Sequence, residues 1–187
     1  TNENHSSFQI IFNNQLHFIK NLTFVVRPSY QSPFKWAIIE SDYSISKFVM
    51  KILILGAGQV GSTVAHVFSK EAQNEITIID SHYEPLAALK EQYDIRTIRG
   101  NAAHPTVLEE ADAASADIII AVTSSDEVNI VACQLAYSLF NVKLKIARLR
   151  SQSYIEHSDN IFGYKINSAF NIDVVISPEI LVTDQIK

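Results

Sequence analysis

The stretch KILILGAGQVG, residues 51–61, constrains this chain more than any other. A short apolar run ends in three glycines, Gly56, Gly58 and Gly61, and the next run, EITIID, closes on Asp80, 19 residues after Gly61. Gly56 permits a tight turn out of a strand. Gly58 lacks a Cβ and lets a pyrophosphate approach the main chain, while Gly61 lets the following helix pack against the sheet. The amides that open such a helix carry about half a positive charge from the aligned peptide dipoles, which suits an anion. A carboxylate at Asp80 is placed to accept hydrogen bonds from ribose hydroxyls. A glycine triplet alone is weak evidence, because a turn in any sheet can use one. Bracketed by strand, helix, strand and carboxylate, it describes a binding site.

Apolar, β-branched runs recur at 52–55, 76–79, 95–98, 118–122, 144–149 and 172–176. They are short and nearly continuous, as parallel strands covered on both faces should be. Helical periodicity fills the gaps: Val60, Val64, Val67 and Phe68 share a face, as do Leu86, Leu89 and Tyr93. Val128, Val131, Leu135 and Leu139 form a third stripe, which suits either a core face or a subunit contact. The alternation predicts an α/β fold, a Rossmann-like doubly wound parallel sheet of about six strands with helices on both faces. Such sheets bind ligands beyond the carboxyl ends of their strands, where the strand order reverses.

This pattern occupies residues 50–187, and residues 1–49 differ from it in kind. They hold nine of the eighteen aromatics and no glycine, with a formal charge of +1 against −6 for the remainder. Met50, the only methionine, directly precedes the first strand. Residues 1–49 therefore read as a non-native or upstream extension, the alternative being a genuine extension that adds a strand or helix. The net charge of −5 argues against a nucleic-acid partner, since phosphate binding calls for a basic face. No apolar run approaches the ~20 residues needed to cross a bilayer. The single cysteine, Cys133, cannot form an internal disulfide, fits a reducing cytoplasm, and lies in a core-like helical pattern. His66, His82, His104 and His157 show no metal-ligand spacing, and no serine or cysteine has a nucleophile's setting. Neither a metal nor a catalytic residue is expected.

The candidate ligand-binding residues follow the strand ends. Gly56, Ala57, Gly58, Gln59, Val60 and Gly61 would hold phosphates, with Asp80 and Ser81 at the adenosine ribose. A carboxylate there repels a 2′-phosphate, and Ser81, His82 and Tyr83 supply no arginine, which favours NAD(H), ATP or ADP over NADP. Asn101 and Ala102 would edge the adenine or make a simple turn. Thr123 would touch a phosphate or a second ribose, while Ser125 or Asp126 caps the next helix. Arg148 and Arg150 share a face at the end of the fifth run, suited to a ligand phosphate, a subunit salt bridge or a solvated strand end.

Beyond the glycine loop, the segments RTIRGNAAHPTVLEEA, AVTSSDEVNIVACQLAYSLFN, KIARLRSQSYI and VVISPEILVTDQI carry a resemblance. From Met50 onward the chain resembles the RCK/KTN family, the N-terminal regulatory domains of bacterial Trk-type potassium uptake systems. The resemblance implies a regulator that binds NAD(H) or ATP/ADP as effector without hydride transfer, and so is not an enzyme. It carries the nucleotide site onto Gly56, Gly58, Gln59, Val60, Gly61, Asp80, Asn101, Thr123 and Arg148. It further implies a cytoplasmic protein, peripheral at the inner membrane face, that gates a membrane potassium-translocating subunit and forms a homo-oligomer, dimer or tetramer. Family proteins usually continue into a C-terminal lobe, whereas this sequence stops at Lys187, in what reads as a helix after the sixth strand. The leader matches nothing in the family. The competing expectation is the cofactor half of an NAD-dependent dehydrogenase, which would need a substrate domain that neither segment supplies.

Overall fold

The computed structural model describes residues 49–70, 73–157 and 169–177. The chain alternates β1 (Met50–Leu55), α1 (Gln59–Ser69), β2 (Asn74–Asp80), α2 (Tyr83–Gln92), β3 (Arg96–Arg99) and α3 (Pro105–Glu110). A 3₁₀ turn at Ala113–Ser115 leads to β4 (Ile118–Ala121), α4 (Asp126–Ser138), β5 (Leu144–Arg148), α5 (Gln152–Glu156) and β6 (Val174–Ile176). The strands form one parallel sheet in the order β3-β2-β1-β4-β5-β6. This is the doubly wound order, and its direction reverses between β1 and β4. The expected fold is the one observed. The extension at 1–48 and the helix expected after the sixth run lie outside the described residues.

Central position explains the composition of β1. Ile52, Leu53, Ile54 and Leu55 are all essentially buried because β2 and β4 flank the strand and helices cover both faces. Period-two alternation then divides the sheet into two cores. Leu53, Leu55, Ile79, Ile119, Ala121 and Ala147 pack with Leu108 of α3 and with Ile130, Cys133 and Ala136 of α4. Ile52, Ile54, Ile78, Ile120 and Ile146 point the other way, toward the face where α1 meets β1 and β2. Each such side chain removed from water contributes about 1.5–3 kcal/mol. Cys133 is fully buried in the first of these cores, and that burial pushes its thiol up to about 12.

On α4 the apolar stripe lies largely outside the core. The face of α4 that meets the sheet is Asp126, Asn129, Ile130, Ala132, Cys133 and Ala136. Of the stripe Val128, Val131, Leu135 and Leu139, two members are exposed, Val131 at 41% and Leu139 at 58%. Val128 and Leu135 only flank the core. Small side chains let α4 sit close against β4 and β5, so the bulkier apolar residues turn outward with Tyr137. The stripe is therefore not a core face. In α1 and α2 the expected residues Val60, Val64, Phe68, Leu86 and Leu89 are buried, while Val67 is half-buried. Tyr93 ends α2 and bonds His66 Nδ1 through its hydroxyl at 2.8 Å.

Candidate functional site

The switch point of the sheet is built by the glycine turn. Gly56 has φ +103°, a left-handed conformation that side chains disfavour, and its amide donates to the Ile79 carbonyl at 2.7 Å. A Cβ there would lie 2.9 Å from Thr123 Cα, so the turn rests directly on the segment that leaves β4. Gly61 is needed for a different reason from the expected one. Its Cβ would meet the Gly56 carbonyl oxygen at 1.8 Å, so the obstacle is the turn itself, and the sheet's Ile54 is an ordinary 3.5 Å away. Gly58 is the N-cap of α1 with no side-chain cap, and a Cβ built on it would meet nothing within 4 Å. Open space over the first amides of a helix of 11 residues is what a bound phosphate requires. Gln59 opens α1 at the surface, while Ala57 and Val60 are buried beneath the turn.

Asp80 joins the turn to the end of β2. Its Oδ2 accepts from the Ala57 amide at 2.7 Å, and its Oδ1 accepts from the His82 amide at 2.8 Å. The His82 ring lies 3.0 Å from the same Oδ1. Burial by itself would raise the carboxyl's pKa. The His82 and Ala57 amides, with the His82 ring, outweigh that and hold it below the ordinary aspartate range. The carboxylate thus pins the phosphate turn, and its unused lone pairs remain for a ribose. Arg99, in register with Asp80 across the β2–β3 ladder, donates through Nε to the Ser81 carbonyl at 3.3 Å. Sequence spacing missed this cation, because the ladder and not the chain brings it beside the acid.

Across the switch point the site is held by side chains. Thr123 is part-buried just beyond β4, and Ser125 is the N-cap of α4, its Oγ accepting from the Val128 amide at 3.3 Å. Asp126 does not cap: its Oδ2 accepts from the Arg150 and Ser151 amides at 2.8 and 2.7 Å, tying α4 to the start of α5. Asn129 is fully buried and bridges two rim segments, Oδ1 to Thr123 and Nδ2 to the Arg148 carbonyl. Neither Asp126 nor Asn129 was expected at the site. The signal available was their phase, since both share the small-residue face with Ala132, Cys133 and Ala136. Arg150 is exposed and reaches back to the Ser124 carbonyl, a contact within the chain. Arg148 is half-buried on β5.

The remaining candidates lie at the end of β3. Asn101 is exposed, and its Oδ1 accepts from the Ala103 amide at 2.9 Å to fix a turn, while the Ala102 methyl packs into the core. His104 is the N-cap before Pro105 at the first turn of α3. Thus Gly56–Gly61, Asp80, Ser81, Thr123 and Arg148 gather along the carboxyl ends of β1, β2, β4 and β5, whereas Asn101 and Ala102 lie beyond β3. Among the described residues no three metal-ligating side chains converge, and no helix is long and apolar enough to cross a membrane.

Residues 52–178 match the TrkA-N domain family. The chain is 48% identical over 137 residues to the Trk system potassium uptake protein TrkA of Haemophilus influenzae, an alignment taking in 73% of this chain and 29% of that protein. The chain thus spans less than a third of that relative's length. Among solved structures, the TrkA-N domain of the inner membrane protein ybaL from Escherichia coli matches with a TM-score of 0.60 at 17% identity, over 74% of this chain and 95% of that one. The GsuK channel bound to NAD matches with a TM-score of 0.53 at 19% identity, over 89% and 27% respectively. At those identities the two structures share the fold with this chain.

Proposed function

This chain belongs to the TrkA-N domain family, and from that premise we propose that residues 50–187 form the nucleotide-sensing domain of a Trk-type potassium uptake regulator. The domain binds NAD(H), or ATP or ADP at the same place, as an effector that is not consumed. One observation carries the reading: open space over Gly58 at the switch point, with Asp80 on one side and Thr123 on the other. The phosphates lie over the turn, and the first ribose meets Asp80. In a dinucleotide the second ribose extends toward Thr123 and Arg148. Similarity to the potassium uptake protein TrkA of Haemophilus influenzae and to the GsuK channel bound to NAD supports both the transport role and the ligand class.

The rim binds and does not react. Its acids, Asp80 and Asp126, are committed to main-chain amides, as a module that holds a ligand in a fixed frame would require. Regulation follows if the ligand favours one arrangement of neighbouring domains, with a coupling of about 1–3 kcal/mol. The domain acts at the inner membrane face on a potassium-translocating subunit, as a dimer or tetramer, and the outward apolar residues Val131, Tyr137 and Leu139 supply a surface for association. Calorimetric titration with NADH, NAD, ATP and ADP tests the ligand class. Binding of at least one is expected, with loss of all binding in Gly58→Val, whose side chain enters the open space while the fold survives. A folded wild-type chain that takes up no adenylate at millimolar concentration refutes the reading.

A further inference from the structure

We propose that Asn129 is a positioning residue that sets the second half of the rim and so decides how strongly a dinucleotide is preferred over a mononucleotide. The inference rests on the nucleotide reading above and goes beyond it, because Asn129 lies beneath the surface and touches no ligand position.

A buried amide is costly unless both its ends are bonded. Asn129 is 0% exposed on a helix face shared with Asp126, Ile130, Ala132, Cys133 and Ala136, and the residues that follow it on that face are apolar and pack without that requirement. Its bonds all go to the rim. Oδ1 accepts from the Thr123 amide at 2.9 Å and the Thr123 hydroxyl at 2.7 Å, and Nδ2 donates to the Arg148 carbonyl at 2.8 Å. The orientation of the amide is fixed by these partners, since the Thr123 N–H needs an acceptor and the Arg148 carbonyl needs a donor.

The position of those bonds gives them a consequence. The β4–β5 ladder ends at the pair Ala121↔Ala147, so Thr123 and Arg148 are past the last main-chain pairing between the two strands. Asn129 supplies one carbonyl and one N–H across that opening, as a peptide unit would. It also fixes the Thr123 hydroxyl, which accepts from the Ser125 amide at 3.3 Å and lies within 3.1 Å of the Ser125 carbonyl. By contrast, the Gly56 turn and Asp80 are held by the β1–β2 side through the Ile79 carbonyl and the Ala57 and His82 amides. Losing Asn129 should therefore disturb the far half of the site and leave the adenosine half in place.

Parallel calorimetric titrations with NADH and with AMP test this on the full chain. In Asn129→Leu and in the isosteric Asn129→Asp, which keeps the acceptor for Thr123 but sets an acceptor against the Arg148 carbonyl, the NADH dissociation constant should rise about 10- to 100-fold. That for AMP should move less than about threefold. Thr123→Val removes the hydroxyl bonded to Asn129 Oδ1 while keeping Asn129 itself and should show the same split. If the variants fail to fold, the wild-type Asn129 side-chain amide resonances should shift on adding NADH and stay in place with AMP. Parallel losses for both ligands, unchanged affinity for both, or resonances indifferent to NADH overturn the proposal. A wild-type chain that binds neither ligand defeats the nucleotide reading itself, a distinguishable result.

Discussion

The buried pair Lys145–Asp173 should be the most sensitive electrostatic contact among the described residues. The Lys145 ammonium is 1% exposed, lies 2.8 Å from Asp173 Oδ2, and donates to the Val142 and Lys143 carbonyls at 3.2 and 3.3 Å. The same Oδ2 accepts from the Lys145 amide at 2.6 Å, and the Asp173 amide returns a bond to the Lys145 carbonyl at 2.9 Å. Removing one partner leaves the other charge buried and unopposed, which costs about 3–5 kcal/mol, whereas replacing both by apolar groups is often nearly neutral. Lys145→Met and Asp173→Leu should each lose that much in urea unfolding, about a fifth or more of the stability of a domain held by roughly 5–15 kcal/mol. The double variant should lose less than the sum of the singles, by about 3 kcal/mol or more. Because β6 has only three residues beside Asp173, the single variants should also speed amide exchange at Val174–Ile176. Single costs that simply add, to within about 0.5 kcal/mol, would refute the argument that the charges oppose one another's desolvation.

Two further outcomes follow from the site. Gly61→Ala drives a methyl to 1.8 Å from the Gly56 carbonyl oxygen, so the turn must move; overpacking of this kind should cost about 1–3 kcal/mol or more in denaturant unfolding, with nucleotide affinity falling alongside. Asp80 has a folded pKa below its ordinary value of 3.8, so the folded state binds its proton less readily than the unfolded chain. That stabilisation is present above the unfolded value and disappears as pH falls through the folded one, and Asp80→Asn should flatten the acid limb of a stability-versus-pH curve below about pH 5.

Much of this molecule was legible in its sequence for identifiable reasons. A strand covered on both faces must be apolar at successive positions, so Ile52–Leu55 and Ile118–Ala121 declared themselves, and alternation with helices indicated a doubly wound parallel sheet, whose strand order the structure supplies. The turn at Gly56 was legible because a positive φ admits few residues. Edges were less clear: the third run was placed at 95–98 and the strand begins at Arg96, after the Ile95 amide turns back to the Tyr93 carbonyl. The apolar stripe Val128, Val131, Leu135 and Leu139 suited either a core face or a subunit contact, and sequence alone did not decide between them. On α4 the close approach to the sheet selects Ala132, Cys133 and Ala136, and bulk is displaced outward to Val131 and Leu139. Asn129 was hidden because it shares that small-residue face. Arg99 was hidden because register, not sequence distance, sets it beside Asp80.

The two halves of the rim are secured by different physics, and that difference bears on how a ligand could signal. On the β1–β2 side, main-chain bonds and one carboxylate hold the turn, so a ligand confined there meets a frame already set by the sheet. On the other side the β4–β5 pairing has ended; β1 still holds Val122 and β6 still pairs with Arg148, and Asn129 and Asp126, both carried by α4, bridge the gap between those two segments. That helix bears the exposed residues Val131 and Tyr137 on its far side. A ligand pulling on Thr123 or Arg148 acts through short hydrogen bonds on α4, whereas one bound only at Asp80 reaches α4 only indirectly, through the glycine turn packed on Thr123. A ligand shifts an equilibrium only by its differential affinity for the two states. Dinucleotides that span the switch point should therefore change the association state at lower saturation than AMP, and Asn129→Leu should abolish that advantage without abolishing AMP binding. Sedimentation velocity at matched occupancy measures it, and equal shifts by NADH and AMP would show that the signal leaves the site by the turn instead.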